Sequence, residues 1–209
     1  GCQDSGEDTD DDNDSVLDSS DDCATGDLGW TSGSTTDYDT DGCQDSNEDL
    51  DDDNDGMADV SDDCPTGDLN WTSGSTTDHD SDGCQDSSIE DTDDDNDGLA
   101  DLLDDCATGN LGWTSNSTTD YDSDGCQDSS SEDIDDDNDG ADDIFDDCPT
   151  GDLNWTSNST TDHDSDGCQD SSTEDTDDDN DGLADLLDDC ATGDLDWTSN
   201  STTDHDSDG

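Results

Sequence analysis

Acidic residues recur at alternate positions in this chain and are punctuated by glycine, as in Asp93-Asp94-Asp95-Asn96-Asp97-Gly98-Leu99-Ala100-Asp101-Leu102-Leu103-Asp104. Counted from Asp93, carboxylates stand at loop positions 1, 3, 5, 9 and 12, with Gly at 6. Calcium takes six to eight oxygens at about 2.3–2.6 Å, and a loop with ligands at 1, 3, 5, 7 (a carbonyl), 9 and 12 wraps one ion. The alternation predicts that odd-numbered side chains converge on a cation while even-numbered ones point away. We call this string loop B. Its acids in the third copy are Asp93, Asp95, Asp97, Asp101 and Asp104. It recurs as Asp51, Asp53, Asp55, Asp59 and Asp62, as Asp135, Asp137, Asp139, Asp143 and Asp146, and as Asp177, Asp179, Asp181, Asp185 and Asp188. The first copy, Asp10, Asp12, Asp14, Asp18 and Asp21, has Ser15 in place of the glycine, which makes it the doubtful site.

A second run, loop A, carries acids at positions 1, 3, 5 and 9. Its copies are Asp37, Asp39, Asp41 and Asp45; Asp78, Asp80, Asp82 and Asp86; Asp120, Asp122, Asp124 and Asp128; and Asp162, Asp164, Asp166 and Asp170. Glu48 falls at position 12 of the first of these, which fits the EF-hand loop pattern. In the later copies one extra residue moves Glu90, Glu132 and Glu174 to position 13, so the closing ligand of loop A stays open. No amphipathic helix flanks either run, which argues against a helix–loop–helix hand. About two calcium ions per repeat are expected.

The elements that position these acids come from repetition. GCQDS opens at Gly1, Gly42, Gly83, Gly125 and Gly167, dividing the chain into 1–41, 42–82, 83–124, 125–166 and 167–208, with 209 opening a sixth unit. A period near 40 residues marks a tandem array in which each unit leans on its neighbours. The composition excludes most other architectures. There are 71 Asp and Glu, no Lys or Arg, a formal net charge of −71, and only 21% hydrophobic residues. That balance describes a chain unable to bury a core. With no basic side chain, nucleic acid and anionic lipid are both repelled, and no apolar run is long enough for membrane insertion. The counter-charge has to be metal. The expected fold is an irregular, loop-dominated tandem repeat array, stabilised by calcium and disulfides, with little regular helix or strand and no conventional hydrophobic core.

Ten cysteines at regular spacing read as a disulfide framework of an oxidising, extracellular or cell-surface setting. Pairing within a copy (Cys2–Cys23, Cys43–Cys64, Cys84–Cys106, Cys126–Cys148, Cys168–Cys190) uses all ten and is favoured, because consecutive metal loops then fix both ends. The shifted pairing across the Trp segment is the alternative.

Loop B with its trailing cysteine, Asp93-x-Asp95-x-Asp97-Gly98-x-x-Asp101-x-x-Asp104-x-Cys106, resembles the motif of thrombospondin type 3 repeats. The resemblance covers nearly the whole array, apart from the GWTSNSTT stretch. It implies acidic loops wrapped around a string of calcium ions and linked by disulfides. Similar arrays in long secreted surface proteins of aquatic microbes imply a surface or matrix role.

Other residues carry less chemistry. Trp30, Trp71, Trp113, Trp155 and Trp197 are expected to pack on a disulfide or a neighbouring copy. His79, His163 and His205 share position 2 of loop A with Tyr38 and Tyr121 and are expected on the surface. Asn-x-Ser/Thr at Asn70, Asn116, Asn154, Asn158 and Asn200 suggests covalent glycans. No nucleophile–base pair recurs, so the chain reads as no enzyme. The functional expectation is an extracellular structural protein forming a fibre, stalk or surface coat. The alternatives are an adhesive or mineral-interacting acidic binding protein and a calcium reservoir. The tail (Asp204, Asp206, Asp208, Gly209) and head (Gly1, Cys2, Asp4, Glu7) together spell one loop A, so self-association or continuation into a longer repeat chain is expected.

Overall fold

The computed structural model describes residues 7–195 and 197–209, so Gly1, Cys2 and Asp4 lie outside the described residues. None of the described residues lies in a helix or a strand. The chain divides into two compact units, Gly1–Asn96 with Ala100–Leu102, and Asp97–Leu99 with Leu103–Gly209. Each is an irregular, disulfide-stabilised series of repeated acidic loops.

Loops A and B share one backbone design. In all nine, the position-9 amide donates to the carbonyl just before position 1, at 2.9–3.1 Å, which closes the loop. The position-5 carboxylate accepts the amide of position 7 at 2.6–2.9 Å, an Asx-type turn that a short acidic side chain makes with its own backbone. Position 4 is left-handed throughout. In loop B it is Asn, at φ 51–63°, the non-glycine residue most at ease there. Position 6 is left-handed as well, and Ser15 takes φ 88 where the other loop B copies use glycine. The first loop therefore keeps the shape despite its substitution, with a backbone conformation that disfavours a side chain.

The end of each loop B docks on the following loop A. Asp22, Asp63, Asp105, Asp147 and Asp189 donate their amides to the carbonyls of Asp41, Asp82, Asp124, Asp166 and Asp208 at 2.6–2.8 Å. This contact sets the disulfides, which are Cys23–Cys43, Cys64–Cys84, Cys106–Cys126 and Cys148–Cys168, with Cα–Cα separations of 5.1–5.3 Å. The within-copy pairing favoured from the sequence is thereby corrected. Cysteine 14 of loop B lies beside cysteine 7 of the next loop A because the Trp segment folds back between them. Cys190 is exposed and without a disulfide.

The interior is inverted relative to an ordinary domain. Among the described residues the buried apolar side chains are Cys43, Cys84, Cys126 and Cys168, and the rest of the buried set is Asp. Val60, Ile89, Leu102 and Leu186 are 95–98% exposed. The described tryptophans are half-buried, not a closed core.

Candidate metal centres

Asp10, Asp12 and Asp14 each place a carboxylate oxygen within 4.8 Å of the others, as do Asp51, Asp53 and Asp55 in the second repeat. The position-12 acid joins them: Asp12, Asp14 and Asp18 are the charges that press on Asp21, and Asp53, Asp55 and Asp51 those that press on Asp62. Burial, then this crowding, pushes both carboxyls up to about 6. Burial likewise raises Asp14 and Asp55, and takes Asp146 in the fourth repeat up to about 7.

These carboxylates are half spoken for. One oxygen of Asp62 accepts the Cys64 amide at 2.6 Å, and one of Asp55 accepts Met57 at 2.6 Å. Asp53 uses both oxygens, for Asp55 and for Gly67 at 2.8 Å, so the Thr-Gly turn after the cysteine wraps onto the loop. Asp51 Oδ1, Asp55 Oδ2 and Asp62 Oδ2 are buried and accept nothing. The same three positions are orphaned at Asp10, Asp14 and Asp21 and again at Asp177, Asp181 and Asp188. A buried anionic oxygen without a partner is strongly unfavourable, and this chain has no Lys or Arg to supply one. A cation among positions 1, 5 and 12 would partner all three, and the donor set is hard oxygen throughout.

Loop A builds a similar triad. Asp37, Asp39 and Asp41 lie within 4.8 Å of one another, as do Asp78, Asp80 and Asp82. Asp37, Asp78, Asp120 and Asp162 are fully buried. The sequence leaves the closing acid of loop A open, and the glutamates after position 9 are engaged with backbone amides. Glu48 faces the backbone, accepting the Asp27 amide at 3.0 Å. Glu90 accepts Asp68 at 2.7 Å and Gln85 at 3.0 Å, and Glu132 and Glu174 repeat the grip on Asn110 and Asp152. The charges pressing on Asp39 come instead from Asp41 and Asp49; those on Asp80, from Asp82 and Asp91; and those on Asp122, from Asp124 and Asp133.

Position 9 carries out a structural task. In every loop its Oδ1 accepts the position-2 amide at 2.8–3.1 Å, so Asp18, Asp45, Asp59, Asp86, Asp101, Asp128, Asp143, Asp170 and Asp185 are all oriented alike. Each loop A is tied to the loop B that follows it by the position-4 amide of that loop B. Asn96 Nδ2 donates to Asp82 at 3.1 Å and also to Asp80, and Asn138 bridges Asp124 and Asp122 in the same way.

Two expectations about even-numbered positions are corrected. Tyr38 and Tyr121 are half-buried, and their hydroxyls donate to the Gly67 and Gly151 carbonyls at 2.9 and 2.8 Å. His163 reaches Gly193 O at 3.0 Å from the equivalent place, and His79 is half-buried, leaving only His205 exposed as expected. Position 2 of loop B also turns inward: Asp94 is 9% exposed. Alternation within a single loop concealed this, since the neighbour that buries Asp94 belongs to the preceding loop.

Asn116, Asn158 and Asn200 sit on exposed turns, each accepting the amide and hydroxyl of the Thr two residues on. Among the described residues no helix is long and apolar enough to cross a membrane, and the disulfides belong to an oxidising, non-cytoplasmic setting. No protein-family model matches the chain, and no match was found among curated proteins.

Proposed function

We propose that this chain is an extracellular structural protein in which calcium closes the acidic loops and disulfides lock successive loops together. The observation that carries the reading is the triplet of buried, partnerless oxygens at positions 1, 5 and 12 of loop B, repeated at Asp10, Asp14 and Asp21 and at Asp51, Asp55 and Asp62. Oxygen-only donors, several carboxylates per loop and a permissive glycine suit calcium, whereas zinc favours thiolate and imidazole. Eight of the cysteines are already committed to disulfides, and the Asp triads of loops A and B named above contain neither histidine nor cysteine. A thrombospondin type 3-like array is the reading these features support, and a fibre, stalk or surface coat of a cell is the role. Catalysis has no place in it.

Self-association, or continuation as a longer repeat chain, is supported by apolar side chains held outward at loop B positions 10 and 11. Ile144 and Phe145 are 82% and 73% exposed, and Leu186 and Leu187 are 98% and 69% exposed. The same side chains would serve the second reading, an adhesive matrix protein. Glycans on the exposed Asn116, Asn158 and Asn200 turns would add a hydrated coat.

Since such a chain has almost no apolar core, its metal-binding free energy is folding free energy. Small-angle scattering and circular dichroism of the disulfide-intact chain, with calcium and then with chelator, test this. Compaction with calcium and expansion in chelator are expected. An unchanged compact profile in chelator overturns the proposal.

A further inference from the structure

We propose that the second to fifth repeats each hold a second kind of divalent-cation site, lying between a loop A and the loop B that follows it, and built in the third repeat from Asp86, Asp91, Asp94 and Asp101. These are the position-9 acids of loop A and loop B, the position-2 acid of loop B, and the acid two residues before loop B. Asp91 and Asp94 are 7% and 9% exposed, and their oxygens Oδ2 and Oδ1 are buried with no hydrogen-bond partner. Asp94 is held against Asp101 by its own amide, at 2.9 Å, and the counterparts of Asp86, Asp91 and Asp94 in the second repeat, Asp45, Asp49 and Asp52, bring their ligand oxygens within 4.8 Å of one another.

The site is built by the backbone. Asp91 Oδ1 accepts the Asp93 amide at 3.1 Å, Asp101 Oδ1 accepts Asp94 at 2.9 Å, and Asp86 Oδ1 accepts His79 at 3.0 Å. Each of these carboxylates is thus aimed by one amide on one oxygen, leaving the other for a ligand. Asp94 accepts no amide, and when it is ionised a cation would compensate its burial. The arrangement recurs. Asp45, Asp49 and Asp52 present ligand oxygens within 4.8 Å of one another, and Asp49 Oδ2 and Asp52 Oδ1 are again orphaned. So are Asp133 Oδ2 with Asp136 Oδ1, and Asp175 Oδ2 with Asp178 Oδ1.

Loop-internal ions close one loop each, whereas this ion would clamp loop A to loop B through carboxylates from both. The inference rests on the calcium reading for the identity of the ion, and equilibrium dialysis of the full chain against calcium separates the two. The wild-type count should exceed the nine loops by about four. Replacing Asp52, Asp94, Asp136 and Asp178 together by Ala should remove about four ions, while Asp→Asn at the same positions, which keeps the shape, should weaken those ions at least about tenfold. A single Asp94→Ala should remove about one and guards against misfolding of the fourfold variant. A wild-type count of nine or fewer, or Asp94→Ala and Asp94→Asn chains that bind as the wild type does, overturns the clamp and leaves the loop reading standing. A wild-type chain that binds no calcium overturns both.

Discussion

The Asp62 carboxylate rests directly on Gly83: a Cβ at Gly83 would fall 2.2 Å from Asp62 Oδ1, and the glycine itself sits at φ +93. The position-12 acid of one loop is therefore seated on the left-handed glycine of the next, beside the Cys64–Cys84 bond. Gly83→Ala would introduce both a strained backbone and a clash with the Asp62 carboxylate. We expect about 1–3 kcal/mol of destabilisation, read as a higher calcium concentration at the midpoint of compaction. Gly74→Ala, with open space around it and no left-handed φ, is the control that should leave the midpoint in place.

Acidity should act in opposite directions with and without metal. Burial, and after it the charge of the facing position-9 acid, pushes Asp52, Asp94, Asp136 and Asp178 up to about 7 from the model-peptide 3.8. Between those values the folded, metal-free chain holds more protons than the unfolded one, so its stability falls as pH rises and is gained as pH drops from about 7 toward 4. Protons compete with calcium for the same oxygens, so calcium affinity should weaken over that window. Calcium titrations at about pH 7.5, 6 and 5, followed by scattering, should show the midpoint rising as pH falls. A midpoint independent of pH would contradict the burial of these acids.

Peptide mapping without reduction should recover Cys64 joined to Cys84 and Cys106 joined to Cys126. Each bond closes a ring of about 20 residues, a constraint on the unfolded chain of about 3 kcal/mol in the entropy model. Reduction should accordingly raise the calcium requirement without abolishing binding. Recovery of Cys84 joined to Cys106 would refute the register.

Tyr38→Phe should remove the hydroxyl bond to Gly67 and nothing else, a loss of about 1 kcal/mol. Its readout is faster amide hydrogen exchange around Gly67 and Asp68 at saturating calcium. Exchange unchanged there would show the contact to be incidental.

The two loop types could be read from spacing alone because each depends on residues within a dozen positions, with backbone bonds running from position 9 to the carbonyl before position 1. The disulfide register could not. Cys64 stands about equally far in sequence from Cys43 and Cys84, and what decides between them is the seating of Asp62 on Gly83. Tyr38 was misplaced for a related reason, its acceptor lying 29 residues away on Gly67. Asp94 pointed outward only as long as its loop was considered by itself; Asp86 and Asp91, supplied from before that loop, give it an interior.

An interior of carboxylates with aliphatics held outside has a calorimetric consequence. The large heat-capacity increment of unfolding comes from exposing apolar surface, while newly wetted polar groups lower it. Val60, Ile89 and Leu186 are already in water, and it is acids such as Asp53, Asp137 and Asp179 that unfolding uncovers. The stability curve should therefore be close to a straight line in temperature, with neither a pronounced maximum nor cold denaturation. On the proposed calcium reading, a shift in the ions of the surrounding water should move this chain along a line that has no second, cold-side crossing.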